Sequence, residues 1–178
     1  YSYDKPLVVL NPYLISPLTA MILFRTSTKQ EVTLTVKGKT TEGNIVHRFP
    51  AETEHVLPVY GLYGGYENTV ELSLSGGEKS EIKIQTDPLP PEVPVPTFCK
   101  PNKEHMGDNV IFLTQTSKAD ALACDYAGDV RWYLTINVCF DLKRLSNGHL
   151  LVGTDRLIRL PYYVSGTYEM GVHGKIYK

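Results

Sequence analysis

The sequence predicts an all-β protein, because apolar and polar residues alternate along short segments that turn-forming residues separate. Val32, Leu34 and Val36 alternate with threonines, so one face of this segment is apolar, as in a half-buried strand. The chain contains 14 glycines and 12 prolines but only 3 methionines, a composition with many turns and few helix-forming residues. These observations predict short strands joined by frequent turns.

Residues 1–86 are predicted to form a small β-sandwich of the immunoglobulin or fibronectin type. Seven or so short strands can be placed in about 80 residues, which is the pattern of an immunoglobulin-like sandwich. The pair Gly76-Gly77 predicts a tight hairpin between strands at 70–74 and 82–84. The Cys–Trp–Cys core of antibody domains is absent, so apolar packing alone should hold this sandwich together.

A proline-rich segment at 87–96 marks the predicted domain boundary. Five of its ten residues are proline. Because proline fixes φ and lacks an amide hydrogen, we expect the segment to be extended and stiff, and neither helical nor a central strand. It is therefore predicted to link the sandwich to a second domain at 97–178.

Residues 97–178 carry a weak internal repeat that predicts the first blades of a β-propeller. In each copy a strand enters a glycine-containing turn and a second strand leaves it. Gly174 follows Gly128 by 46 residues (174 − 128 = 46), and propeller blades repeat at about 40 to 50 residues. The region amounts to about two blades, fewer than a closed ring requires. The pair Asn147-Gly148 also predicts a hairpin.

Charge and cysteine content exclude several classes of partner. The 18 lysines and arginines are interspersed with 19 acidic residues, whereas a nucleic-acid-binding surface needs clustered basic residues. No apolar run reaches the roughly 20 residues of a membrane span. Cys99, Cys124 and Cys139 are odd in number and lack the spacing of a zinc site. We therefore expect no bound nucleic acid, metal or cofactor and no membrane span. The cysteines are expected to be buried or half-buried thiols, although one cysteine pair could be bridged in an exported protein.

Several segments resemble the bacterial arylsulfate sulfotransferases, also called aryl sulfotransferases. The most specific likeness consists of Leu57–Tyr63 together with Asn68–Val70, which comes shortly after it in the chain. The segment Asp125–Leu134 resembles the first blade turn of that family. Weaker likenesses to the family's opening strands are found at 11–13, 17–20 and 36–39.

The resemblance implies a fold, an activity and a location. The family pairs a small N-terminal β-sandwich with a six-bladed propeller, and moves a sulfuryl group from a phenolic sulfate ester to another phenol. A histidine in the central channel of the propeller is sulfated transiently, which suits imidazole as a nucleophile near neutral pH. The implied partners are a phenolic sulfate donor and a phenol acceptor. The implied location is periplasmic, cell-surface or secreted.

The sulfated histidine is expected outside this chain. In the family it follows a Gly-x-Ile-Tyr-like strand, and this chain ends on Gly174–Lys178. We therefore assign no catalytic, cofactor or metal residue, and expect an N-terminal fragment without activity of its own. The chain opens on Tyr1 without an initiator methionine, so we expect a trimmed sequence, and the absence of a leader carries no information about location. Open sheet edges in an incomplete propeller predict a homo-oligomer.

The remaining candidates have both structural and functional interpretations. Tyr60, Tyr63 and Tyr66 lie in a glycine-rich loop that either caps the sandwich core or covers a pocket. Trp132 either packs between blades or stacks on a phenolic ligand. Packing, turn or solvated positions are favoured over catalysis for the five histidines, which are His47, His55, His105, His149 and His173. The alternative function is a non-enzymatic extracellular module that binds carbohydrate or protein.

Overall fold

The computed structural model describes residues 1–107, 110–114, 120–138, 142–153, 157–159, 163–164 and 166–177. This part of the chain is all-β, as predicted, and its helical content is a 3-10 turn at Thr41–Gly43 and a short helix α1 at Lys103–Met106. The strands of the first half are β1 (Leu7–Leu10), β2 (Thr19–Val36), β3 (Ile45–Tyr60), β4 (Glu67–Leu74) and β5 (Lys79–Gln85). The strands of the second half are β6 (Ile111–Leu113), β7 (Asp120–Cys124), β8 (Val130–Asn137), β9 (Leu142–Arg144), β10 (Leu150–Gly153), β11 (Leu157–Arg159), β12 (Tyr163–Val164) and β13 (Thr167–Met170).

The first half forms one five-stranded antiparallel sheet that is organised around β2. Strand β3 pairs with both ends of β2, β1 lies beside the first part of β2, and β4 lies beside the last part. Strand β5 completes the sheet next to β4. Because the sheet curls, Ile22 and Leu34 from opposite ends of β2 contribute to one hydrophobic core.

Two of these strands are longer than the sequence pattern predicts. Strand β2 has 18 residues and β3 has 16, and each joins two segments that were predicted as separate strands. The polar residues at the middle of β2 are largely exposed, and the register with β3 shifts between Arg25 and Val32. In sequence this polar stretch resembles a turn, but pairing on both sides of the irregularity keeps the chain extended.

Four hairpins share the same turn, in which a glycine takes a positive φ. Gly77, Gly128, Gly148 and Gly174 have φ values of 93°, 84°, 83° and 95°. Each of their amides donates to the carbonyl three residues earlier. This geometry is a type I turn followed by a left-handed residue, which glycine adopts without steric cost. The hairpins predicted at Gly76-Gly77 and Asn147-Gly148 are confirmed, and both repeat glycines occupy this turn.

The second half consists of small antiparallel sheets. Strands β6, β7 and β8 form one three-stranded sheet, and β9, β10 and β13 form another. Strands β11 and β12 form a two-stranded pair. These sheets fit the predicted first blades, while closure into a propeller ring stays a prediction.

Apolar packing crosses the predicted domain boundary. The larger of two hydrophobic cores combines residues of β2 to β5 with Val93 from the proline-rich segment and with Leu122 and Tyr133 from the second half. The other core contains Trp132 and Leu134 and lies among the small sheets. Alternate side chains of β8 therefore face different cores, as expected for a strand buried on both faces. The boundaries at 87 and 96 stay predictions.

Candidate functional site

A cleft of about 410 Å³ lies between the two halves of the chain. The end of β3 forms one wall, with Tyr60 and Gly61. The β6–β8 sheet forms the second wall, with Phe112 and Trp132. Two hairpin turns of the second half, around Gly148 and Gly171, form the remainder. The cleft therefore exists only because the two halves pack against each other.

Arg131 connects the two walls of this cleft. It lies on β8 and is 1 % exposed, in a segment that is otherwise apolar. Its Nε donates to the Gly61 carbonyl at 2.8 Å, and its Nη1 lies 3.1 Å from the Gly43 carbonyl, 2.9 Å from the Tyr63 hydroxyl and 2.8 Å from Asp125 Oδ2. The guanidinium also lies 4.0 Å from the centre of the Tyr63 ring. One buried cation thus bonds loops of the first half to a turn of the second.

The turn that follows β7 prepares the carboxylate for this contact. Asp125 Oδ1 accepts hydrogen bonds from the amides of Ala127 and Asp129, at 3.0 and 3.1 Å. The other carboxylate oxygen, Oδ2, accepts the hydrogen bond from Arg131. In the same region Lys39 Nζ lies 2.7 Å from Asp129 Oδ1, which adds a partly exposed ion pair between the halves. The charge of Arg131 is therefore balanced by the Asp125 carboxylate, which backbone amides of the same turn hold in place.

One nitrogen of Arg131 has no hydrogen-bond partner among the described residues. Nη2 is buried, and its N–H groups donate to no acceptor in this part of the chain. It lies beside Gly61, since a Cβ at that position would approach Nη2 to 3.6 Å and would overlap the side chain of Ile45. Gly61 and Ile45 both line the cleft. An unpaired buried donor costs about 1–3 kcal/mol, so this atom is a candidate contact for a bound group.

His173 and Tyr60 form a neutral pair on the cleft wall. Nδ1 of His173 lies 3.2 Å from the Tyr60 hydroxyl, and the imidazole packs 5.0 Å from the Tyr13 ring. Burial lowers the pKa of His173, with further lowering from Lys175 and His149. Burial raises the pKa of Tyr60 to about 12. At neutral pH both groups are therefore uncharged, and they share a hydrogen bond without an ionic component.

His149 has a carboxylate partner. Its Nδ1 lies 2.8 Å from Glu169 Oε1, its amide donates to Asn147 Oδ1 at 3.0 Å, and its ring stacks on Tyr177 at 4.3 Å. A carboxylate on Nδ1 favours the tautomer whose Nε2 is free of hydrogen. Chemically, such an imidazole can accept a proton or a hydrogen bond at Nε2.

The aromatic candidates have separate positions. Trp132 is 3 % exposed, its indole donates to the Val172 carbonyl at 2.6 Å, and its ring meets Phe112 edge to face at 5.2 Å. It therefore packs between the small sheets, and it also lines the cleft. Tyr63 is buried under Arg131, whereas Tyr66 is 39 % exposed at the loop surface.

Three histidines lie away from the cleft. His55 is buried in a stack with Phe24, with ring centres 4.5 Å apart, and its Nε2 lies 3.1 Å from the Thr26 hydroxyl. His47 is exposed on β3, and His105 is exposed in α1. Within the described ranges, no group of three or more His, Cys, Asp or Glu residues could hold a metal ion.

The cysteines fall into three different situations. Cys124 is buried as a free thiol, and burial raises its pKa to about 11. Cys99 is an exposed free thiol, which differs from the expected burial. Its Sγ lies 3.6 Å from the Tyr126 carbonyl. Cys139 is outside the described residues.

The importance of Arg131 could have been recognised from one signal in the sequence. It is a single charged residue in the apolar run Val130–Leu134. A charge on a strand that is buried on both faces needs partners, and such partners usually mark an interface or a site. The identity of those partners could not be predicted, because Gly43, Gly61 and Tyr63 are distant in sequence.

Comparison with protein families assigns both halves. A family model described as the arylsulfotransferase Ig-like domain matches residues 7–88. A second, described as arylsulfotransferase (ASST), matches residues 95–178. The chain belongs to the arylsulfotransferase family. The Ig-like character of this arylsulfotransferase's first half, predicted from its strands, is thereby confirmed. No curated protein matches it, and none of its described helices is long and apolar enough to cross a membrane.

Proposed function

We propose that this chain is the N-terminal part of an enzyme that transfers a sulfuryl group from a phenolic sulfate ester to another phenol. The observation that carries this proposal is the match of two arylsulfotransferase family models to residues 7–88 and 95–178. The phenolic sulfate is the donor and the phenol is the acceptor. A non-enzymatic module would share the Ig-like half, but it would have no need of the second match.

The transfer is proposed to proceed through a sulfated histidine outside this chain. An imidazole nitrogen attacks sulfur and the bond from sulfur to the donor phenolate breaks. The acceptor phenol loses its proton to solvent, its oxygen attacks sulfur, and the sulfur–nitrogen bond breaks, which restores the imidazole. Neither described histidine of the cleft is assigned this role, because His149 is engaged by Glu169 and His173 is engaged by Tyr60.

The role proposed for residues 1–86 is to hold the first blades of a propeller at 97–178 across the linker at 87–96. The shared core and the Arg131 hydrogen bonds support this role. The small size of the sheets in the described part of the second half supports a homo-oligomer, because their edge strands would gain partners from a second copy, and sedimentation would detect it. Family membership supports a periplasmic, cell-surface or secreted location, which fractionation of expressing cells would test.

A sulfate-transfer assay with the full-length gene product tests the proposed activity. The donor is p-nitrophenyl sulfate, the acceptor is phenol, and released p-nitrophenolate and phenyl sulfate are both quantified. We expect equal amounts of the two products from the full-length protein and none from the 178-residue chain. Absence of phenyl sulfate with the full-length protein would overturn the proposal.

A further inference from the structure

We propose that the cleft between the two halves is a binding site for a small aromatic anion. Its acidic group would contact Arg144 and Arg131, and its ring would pack against Phe112 and Trp132. An arenesulfonate or an aromatic carboxylate has the required chemistry. The proposal concerns binding alone, so its test is independent of sulfuryl transfer.

The dimensions of the cleft suit a ligand of one or two rings. Its volume of about 410 Å³ lies within the roughly 300–1,000 Å³ of small-molecule sites. Three separate parts of the chain supply its walls, namely the end of β3, the β6–β8 sheet and the hairpin turns of the second half. A molecule bound there would contact both halves at once.

The charges that face the cleft favour an anion. Its lining contains Arg131 and Arg144 but no aspartate or glutamate among the described residues. Asp125, outside the lining, balances the charge of Arg131, so Arg144 supplies the net positive charge. Arg144 is exposed, and no described residue forms a hydrogen bond or ion pair with its guanidinium group. His173 is neutral at physiological pH because burial lowers its pKa. The exposed guanidinium of Arg144 can therefore make the bidentate contact that arginine makes with sulfonates and carboxylates.

Arg131, which also lines the cleft, supplies a second donor. Its Nη2 is buried and lacks a partner in the described part of the chain, and it lies beside the cleft-lining residues Gly61 and Ile45. The other nitrogens of the guanidinium are fixed by the Gly61 carbonyl and Asp125. The unpaired N–H is therefore held rigidly, so a ligand oxygen would gain a hydrogen bond without ordering the side chain.

The aromatic side of the cleft can hold a ring. Phe112 and Trp132 form an edge-to-face pair with ring centres 5.2 Å apart, and Val110 lies beside them in the lining. The indole N–H is already bonded to the Val172 carbonyl, so its aromatic surface is the group that remains for a ligand. Aromatic pairs prefer offset or edge-to-face contacts, which this wall offers to a third ring.

Titration calorimetry with matched ligands tests the proposal on the 178-residue chain. The probes are 2-naphthalenesulfonate, its neutral analogue 2-naphthalenesulfonamide, and methanesulfonate, which keeps the charge without the ring. We expect the naphthalenesulfonate to bind with stoichiometry near one, and each control ligand to bind at least about tenfold more weakly. Equal affinity for the sulfonate and the sulfonamide would overturn the role of the arginines, and no binding of the naphthalenesulfonate at millimolar concentration would overturn the site.

Variants place the binding in the cleft. Arg144→Gln should weaken naphthalenesulfonate binding about tenfold or more, whereas Arg48→Gln, an exposed arginine on β3 outside the cleft, should leave it unchanged. Equal effects of the two variants would place binding elsewhere on the surface.

Arg131 is tested in the wild-type chain by nuclear magnetic resonance. Its Nε–H resonance should shift when naphthalenesulfonate is added. An unshifted resonance at saturation would remove Arg131 from the site.

Discussion

Arg131 is the residue that joins the two halves of this arylsulfotransferase chain through the largest set of described hydrogen bonds. A buried guanidinium needs a counter-charge and hydrogen-bond acceptors, and here these partners come from both halves. The first half contributes backbone carbonyls and the Tyr63 ring, and the second half contributes the carboxylate of Asp125. Separation of the halves would leave both the arginine and the carboxylate without these contacts.

Arg131→Met should destabilise the chain by about 3–5 kcal/mol, because removing one partner leaves the buried Asp125 carboxylate uncompensated. Unfolding in urea gives the free energy. The matched control is Arg25→Met, since Arg25 pairs with Glu54 at 2.6 Å but the two side chains are 74 % and 69 % exposed. Exposed pairs contribute about 0–1 kcal/mol. Similar losses in both variants would contradict the importance of burial.

Gly61→Ala should cost more than Gly77→Ala, although both glycines have positive φ, at 81° and 93°. Alanine in this conformation costs roughly 1–2 kcal/mol at either site. At Gly61 the added methyl group would also overlap the Ile45 side chain, whereas nothing lies within 4 Å of a Cβ at Gly77. Urea unfolding of both variants compares them. Equal losses would show that crowding at the cleft is unimportant.

The stability of the chain should decrease as pH falls below about 6.5. Burial lowers the pKa of both His55 and His173 from 6.5, so the unfolded chain takes up protons at higher pH than the folded chain. The unfolding free energy is therefore at its full value above that range and declines below it. Urea titrations from pH 7.5 to pH 5, a range of about 2.5 units around the unfolded pKa, measure the slope.

Substitution assigns this pH dependence to the two buried histidines. His55→Gln and His173→Gln should each reduce the slope of unfolding free energy against pH. The exposed His47 provides the control, and His47→Gln should leave the slope as in the wild type. A slope that neither His55→Gln nor His173→Gln changes would assign the dependence to other groups.

Among the elements, β8 links the two cores of the molecule. Its alternating side chains place Tyr133 in the core shared with the first half and Trp132 in the core of the small sheets. The indole N–H of Trp132 reaches the Val172 carbonyl in the turn after β13. A single strand thereby connects the curled sheet, the first small sheet and the last described hairpin.

Trp132→Phe should loosen that last hairpin more than it affects the first sheet. The variant loses the 2.6 Å hydrogen bond to Val172, which is worth about 0.5–1.5 kcal/mol, and leaves part of the indole volume empty. Hydrogen exchange should become faster for the amides of Gly171 and Gly174, while the amides of β4 keep their protection. Uniform acceleration throughout the chain would instead indicate global destabilisation.

At the scale of the whole molecule, the two halves should unfold together. The larger core includes residues from β2 to β5, from the proline-rich segment and from β7 and β8, so each half loses core contacts when the other unfolds. Trp132 is the sole tryptophan, and its fluorescence reports on the second half. We expect its urea transition to coincide with the loss of strand signal in far-UV circular dichroism.

The Arg131→Met variant provides the contrasting case for this prediction. Loss of the interface hydrogen bonds should move the Trp132 fluorescence transition to lower urea than the circular dichroism transition, because the first half keeps its long β2–β3 pairing. Separate transitions already in the wild type would contradict a shared cooperative unit.

Local features of this chain were predictable from sequence because short-range chemistry fixes them. Period-two alternation identified the strands, and glycine pairs and Asn-Gly identified hairpins whose left-handed position only glycine adopts easily. The length of β2 and β3 was not predictable, because polar residues in the middle of each resemble a turn. Pairing between the two strands, and not local preference, keeps those segments extended.

The sequence by itself determined the β character of both halves, the turns and the resemblance to the arylsulfotransferases. Only the tertiary structure decided how the halves meet. It brought Arg131 to Gly43, Gly61 and Tyr63, and it created the cleft with Tyr60 and His173 on its wall. These contacts join residues 68 to 113 positions apart in the chain, and periodicity and spacing carry no information about partners so distant.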